Sequence, residues 1–283
     1  MTVLSDLELN EAGPEFEVVI RRLADSLIYG GNDSQFVGSG LSYAHSRPFE
    51  DGDSIKNIDW RVSARKDRYY VKEYEALKQM PVYLIMDTSA SMSFSSSPQS
   101  KYALALQTAG ALALSFLKQM NPVGIVGAGE RQLFYKPCFS ASRIFQWLND
   151  LRYHNYSEKT GICRRLEELP IFIKQRSLVV ILSDLHEAGA VDSLLRLNLE
   201  HDLIVLQMRD PAEEQRLQAG FMRTREAESE QSFVAHGRSR FEIDSSQQTL
   251  SNHGVDHLIL RTGEDFSMPL RRFLSERGKG GRS

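Results

Sequence analysis

Cysteine is nearly absent from this sequence. Cys138 and Cys163 are the only two in 283 residues, and neither stands in a CxxC or Cys/His spacing. That excludes a disulfide framework and a structural zinc site, and it fits a reducing, cytoplasmic setting. Long apolar runs are missing too. No stretch approaches the roughly 20 residues a membrane-spanning helix requires. The opening MTVLSDLELNEAG is acidic where a secretory leader would be basic and then apolar. A field of one charge sign is the third absence: 34 Lys and Arg stand against 37 Asp and Glu, a formal net charge of −3. No basic surface is left to hold a nucleic-acid backbone by charge alone. The short tail with Arg271, Arg272, Arg277, Lys279 and Arg282 is rich in glycine and reads as a solvated terminus. The sequence also lacks internal repeats.

What remains is an ordinary globular composition, 41% hydrophobic and 25% charged, in a chain long enough for one large domain or for a domain with an attachment. Residues 15–28 (EFEVVIRRLADSLI) place apolar side chains at helical spacing. A glycine-rich stretch follows, then residues 47–68 are dense in charge and tight turns, and residues 69–75 (YYVKEYE) alternate as a strand does. Residues 1–78 therefore read as a helix and a charged segment attached to the main domain, which spans 79–283. From Pro81 the rhythm changes. The runs PVYLIMD, VGIVGAG, RQLFYKP, SLVVILSDL, DLIVLQM, FEID and DHLILRT are strand candidates. Residues 101–120, SRIFQWLNDL, GICRRLEELPIFI, VDSLLRLNL, QQTLSNHG and PLRRFLSE read as helices between them. The expected fold is α/β: a doubly wound, mostly parallel sheet covered on both faces, with a two-stranded excursion near 220–237.

In such sheets ligands gather at the carboxyl ends of the strands. Asp87 ends one apolar strand and Asp184 ends another, so the two carboxylates are expected to face one crevice. After Asp87 the hydroxyls of Ser89 and Ser91 recur at alternate positions, a D-x-S-x-S pattern that can turn three oxygens inward. Hard divalent cations take oxygen ligands, and Mg²⁺ keeps several waters rather than demanding an all-protein cage. Serine is also common in loops after strands, so the pattern by itself leaves a plain loop open. A nucleophilic aspartate of the haloacid-dehalogenase type would need a second acid two residues on, where Ser89 stands. No nucleophile elbow, Walker lysine or dinucleotide loop is present, and GIVGAG reads as close strand packing. His154, His186 and His201 read as isolated, and Phe94 to Ser97 as a solvated connection.

DTSASM after an apolar strand resembles the metal-ion-dependent adhesion site of von Willebrand factor A domains. The longer run RPFEDGDSIKNIDWRVSARKDRYYVKEYEALKQMPVYLIMDTSASM, with MRDPAE at 208–213, resembles the prokaryotic domain-of-unknown-function 58 family. That resemblance implies a von Willebrand factor A or Rossmann-like sheet. It implies a site holding Mg²⁺ or Mn²⁺ through Asp87, Ser89 and Ser91 from a first loop, Thr160 from a second and Asp184 from a third. Glu158 and Lys159 stand before Thr160 where the pattern often has glycines. The resemblance also implies a protein partner, a MoxR-type AAA+ ATPase or its client, in complex assembly or maturation.

A binding module rather than an enzyme is the leading expectation, with a metal-assisted phosphoesterase using Asp87 and Asp184, or a metal-free scaffold, as alternatives. In the charged segment, Arg47, Asp51, Asp53, Asp59, Arg61, Arg65 and Lys72 are expected to form salt bridges and turns, with Trp60 as an apolar plug, in preference to the alternative of a direct partner surface.

Overall fold

The period of two in a β-strand sorts its side chains onto opposite faces, and here both faces are apolar. In the strand Val82–Met86 (β3), Val82, Leu84 and Met86 enter one buried cluster while Tyr83 and Ile85 enter another. The strand Leu178–Ser183 (β6) splits the same way, with Leu178, Val180 and Leu182 opposite Val179 and Ile181. A strand apolar at every position needs helices on both sides, which accounts for the layered architecture.

The computed structural model of the protein describes residues 13–28, 41–66, 68–76, 79–93, 95–130, 132–153, 161–216, 222–225, 232–235 and 247–279. Two compact units are present: one holds residues 33–79, the other the N-terminal helix together with everything from Met80 onward.

In the larger unit the helices are Gly13–Ile28 (α1), Lys101–Lys118 (α3), Ala141–Arg152 (α4), Ile162–Phe172 (α5), Ala190–Leu197 (α6), Pro211–Arg216 (α7), residues 247–252 (α8) and Ser267–Lys279 (α9). The remaining strands are Val123–Ala128 (β4), Gln132–Cys138 (β5), Asp202–Arg209 (β7) and Asp256–Arg261 (β10), with a separate antiparallel pair Met222–Arg225 (β8) and Ser232–Ala235 (β9). The six-stranded sheet runs β10-β7-β6-β3-β4-β5, parallel throughout except for the antiparallel edge strand β5. The pair β8 and β9 falls inside the excursion expected near 220–237. The expected strand FEID lies outside the described residues.

Helix α3 is buried from Lys101 to Phe116 because it lies between the sheet and α1, whose Phe16, Ile20, Leu23 and Ala24 join the same cluster. Ser100 caps it, accepting from the Ala103 amide at 3.0 Å. Helices α5 and α6 cover the other face through Ile162, Leu166, Leu169 and Leu194. Among the described residues no helix is long and apolar enough to cross a membrane.

The smaller unit pairs strand Leu41–Pro48 (β1) with Tyr70–Ala76 (β2), and carries a helix Trp60–Lys66 (α2) in the charged segment where only turns were expected. Asp59 makes that helix possible. Its Oδ1 accepts from the Arg61 and Val62 amides at 3.1 Å each, and its Oδ2 accepts from Ser46 Oγ at 2.8 Å. The Ser46 hydroxyl and the Val62 amide hold the Asp59 carboxyl below its ordinary range. Arg47 grips Asp53 in a two-toothed pair, 2.7 Å on each side. Salt bridges and turns thus explain Arg47, Asp53 and Asp59. Trp60 is not a plug: it is 63% exposed, because its place at the first position of a short capped helix turns it outward.

Candidate metal centre

Strand β3 is where the chain order reverses, with β6 on one side and β4 on the other. Met86 pairs with Leu182, and the Asp87 amide donates to Leu182 O at 2.9 Å. This register puts Asp87, Ser183 and Asp184 on one edge of the sheet. Asp87 is 0% exposed. Its Oδ2 accepts from Ser183 Oγ at 2.5 Å and its Oδ1 from the Ser89 amide at 3.0 Å, a turn that aspartate commonly makes. The chain then closes into a short 3₁₀ turn, Ala90–Ser93. Ser89 Oγ and Ser91 Oγ are 3.0 Å apart, and the Ser91 side chain helps hold the Asp184 carboxyl below its usual value. Asp87, Ser89, Ser91 and Asp184 therefore form one continuous polar cluster. Thr160 lies outside the described residues.

Asp184 is differently partnered from Asp87. Its Oδ2 lies 2.8 Å from Lys101 Nζ, which also reaches Glu213 Oε1 at 2.6 Å. Half-exposed His186 stands 3.7 Å from Asp184 Oδ2 and 3.6 Å from Glu213 Oε1. Burial would raise the Asp184 carboxyl, but the His186 and Lys101 charges outweigh it and hold it below its usual value. Burial would lower His186, but Asp184 and Glu213 raise it. Asp87 has serine and amide donors instead of a cation. Burial first, and then the Asp184 charge, push its carboxyl up to about 6. Leu185 follows with φ of 57°, a left-handed backbone that a bulky side chain rarely adopts and that costs on the order of 1 kcal/mol.

This donor set fits a hard divalent cation: two buried carboxylates and two hydroxyls, all oxygen, with one carboxylate lacking a counter-charge among the described residues. Among the described residues no three His, Cys, Asp or Glu side chains gather as a metal cage, so hydroxyls and water would complete the shell.

Three neighbours were invisible to spacing arguments. Lys101 lies on the adjacent helix and reads in the sequence only as a helix start. Glu213 is in MRDPAE, which has no internal chemistry to announce it. His186 is not isolated, because the turn after β6 folds it back over Asp184. The stretch after Phe94, itself outside the described residues, is partly exposed as a solvated connection would be, but it is also tied to the domain. Ser96 donates to buried Asp210 through its amide at 2.7 Å and its hydroxyl at 2.5 Å, while Ser95 Oγ donates to Gln99 O at 2.6 Å. His201 is buried with neither ring nitrogen hydrogen-bonded, so it is not a satisfied histidine.

Glycines 124 and 127 pack against β5. A Cβ on Gly124 would come within 2.6 Å of Tyr135 O, and one on Gly127 within 3.1 Å of the Leu133 side chain.

Proteins of Mycobacterium bovis and Mycobacterium tuberculosis, each called an uncharacterized protein, are 23% identical to this chain over 294 aligned positions, covering 98% of it and 92% of each relative. Among solved structures it is similar to the Deinococcus radiodurans RO (RSR) protein, at 14% identity and a TM-score of 0.34 over 95% of this chain. It spans 49% of that protein's length. The family model described as protein of unknown function DUF58 matches residues 45–250, most of both units, and the chain belongs to that family.

Proposed function

We propose that the chain is a von Willebrand factor A-like binding module that uses a divalent cation, Mg²⁺ or Mn²⁺, to engage an acidic group on a partner protein. The observation that carries this reading is the Asp87 carboxylate: fully buried, beside the hydroxyls of Ser89 and Ser91, and without a cationic partner of its own among the described residues. Burying an uncompensated charge is costly, and a cation offsets that cost. Asp87, Ser89, Ser91 and Asp184 hold it, with Thr160 as the proposed second-loop ligand. A bound cation with a free coordination position supplies a charge-assisted contact to an outside carboxylate. Ser183 and the Ser89 amide keep Asp87 oriented for this. The choice of a MoxR-type AAA+ ATPase or its client as partner rests on the family resemblance alone.

One observation favours a second reading, the metal-free scaffold: Lys101 already neutralises Asp184 with a protein ammonium. Thermal melts separate the two. With Mg²⁺ or Mn²⁺ at a hundredfold excess over the dissociation constant, the cation site gains about 2.7 kcal/mol, and Asp87→Ala loses that response. Wild type that ignores both ions, or Asp87→Ala that responds equally, rejects the cation site.

A further inference from the structure

The smaller unit carries a groove of about 730 Å³, lined by Pro48, Phe49, Trp60, Ser63, Arg68 and Tyr69. Trp60 and Tyr69 are 63% and 62% exposed, their rings set edge to face with centroids 6.3 Å apart. Two such rings in water each forfeit the stabilisation that burial would give them. Tryptophan, tyrosine and arginine are the residues that dominate binding energy at protein interfaces.

Charge identifies the occupant. Two cations of this unit are engaged: Arg47 with Asp53, and Lys66 over the Tyr70 ring at 5.1 Å. Arg61, Arg65 and Arg68 have no carboxylate partner among the described residues. Arg68 lines the groove itself, and Arg61 follows Trp60 on the same helix turn. A guanidinium beside exposed aromatic walls matches a carboxylate carried next to an apolar side chain. A nucleic-acid strand matches less well, because Arg47 to Ala76 holds as many acidic residues as basic ones and so offers no basic field to a run of phosphates.

We propose that this groove docks an acidic peptide segment of a partner protein, one side chain placing its carboxylate on Arg68 and an apolar neighbour lodging against Trp60 and Tyr69. The proposal goes beyond the cation site and does not depend on it.

The test is selection of a random peptide display library on the full chain in EDTA, followed by fluorescence titration of the enriched peptides. Expected are glutamate- or aspartate-containing sequences with an apolar neighbour, whose affinity falls about tenfold or more with Trp60→Ala, Arg68→Ala or glutamine in place of their acids. The same peptides bind Asp87→Ala as they bind wild type, so a failed cation site leaves this result standing. Trp60, Arg68 and Tyr69 are all exposed, and matching thermal melts confirm that the variants fold. No acidic enrichment, equal binding to Trp60→Ala and Arg68→Ala, or displacement of the peptides by an unstructured oligouridylate at equal concentration overturns the proposal.

Discussion

Lys101 Nζ lies 2.8 Å from Asp184 Oδ2, on a lysine side chain that is 1% exposed. The ammonium is the first residue of helix α3, a helix end that disfavours positive charge, and it is held there by Asp184 and Glu213. Removing one partner of a buried pair strands the others, at a cost of about 3–5 kcal/mol. Lys101→Met is therefore expected to lower unfolding stability by about that amount in denaturant titrations. It also leaves Asp184 without its built-in cation, so added Mg²⁺ should raise the variant's Tm more than that of wild type. A variant as stable as wild type would mean that the pair contributes no net stability.

Asp87 predicts the opposite sign. Its folded value, about 6, is above its ordinary 3.8. The folded state therefore binds the extra proton between those values, and ionised Asp87 penalises folding increasingly as pH rises through about 6. Asp87→Asn in EDTA should stabilise the fold at pH 8 by about 2–3 kcal/mol, shrinking to nothing below about pH 4. The same variant should lose any stabilisation by Mg²⁺. Denaturant melts across pH, with and without the ion, measure both effects.

Two histidines, His257 and His201, make the fold sensitive to acid. His257 donates through Nε2 to Gln207 Oε1 at 3.1 Å, its Nδ1 is buried without a partner, and burial, reinforced by Arg209, pulls its pKa from 6.5 to about 4. His201 is lowered as well, by burial. The unfolded chain binds these protons first, so stability is complete above about pH 6.5 and falls as pH drops toward 4. His257→Leu should flatten that slope, by at most about 3 kcal/mol over the window. His201→Phe should flatten it further and add about 1 kcal/mol at neutral pH by removing an unpaired buried polar group. An unchanged acid limb in the double variant would rule these two residues out as its source.

The sheet was legible in the sequence because its apolar strands are contiguous and its helices keep helical spacing: β3, β6, β7 and α3 stand where those patterns put them. Asp87 and Asp184 were legible as strand ends for the same reason. What escaped was everything that depends on two elements meeting. Lys101 and Asp184 are 83 residues apart, and Ser96 and Asp210 are 114 apart. No local period encodes such pairs. Strand β1 and helix α2 escaped for a different reason: their stability comes from Asp59 and Arg47 contacts rather than from an apolar stripe.

The reading of GIVGAG as strand packing gives a sharp contrast between two glycines. A Cβ on Gly124 meets backbone, Tyr135 O at 2.6 Å, whereas one on Gly110 meets Ile20 methyls at 2.9 Å. Backbone in a paired strand cannot move aside, while a side-chain end can turn. Gly124→Ala should cost about 2–3 kcal/mol and Gly110→Ala about 1 kcal/mol or less, in parallel denaturant melts. Equal costs would mean that α1 and α3 are packed as rigidly as the β4–β5 pair.

Asp210 ties the serine loop to the ends of β7 and β10. It is fully buried, and besides both Ser96 donors it accepts from Thr262 Oγ1 at 2.8 Å and the Ala212 amide at 2.9 Å. Burial raises its carboxyl, but the Ser96, Ala212 and Thr262 donors outweigh that and hold it below the ordinary range. Its contribution is therefore present at neutral pH and lost only as acid titrates through that lowered value. Asp210→Ala strands several donors and should cost about 3 kcal/mol. The local consequence separates an anchor from a merely buried acid. Without Asp210, the Ser96 amide loses its acceptor and the loop leading into Ser100 is released, so hydrogen exchange should quicken at 95–100 before it does in β7. Because Ser89 and Ser91 lie just upstream of that loop, the variant should also bind Mg²⁺ more weakly than wild type. Exchange rising equally across the whole domain would assign Asp210 to global stability instead of to holding this loop.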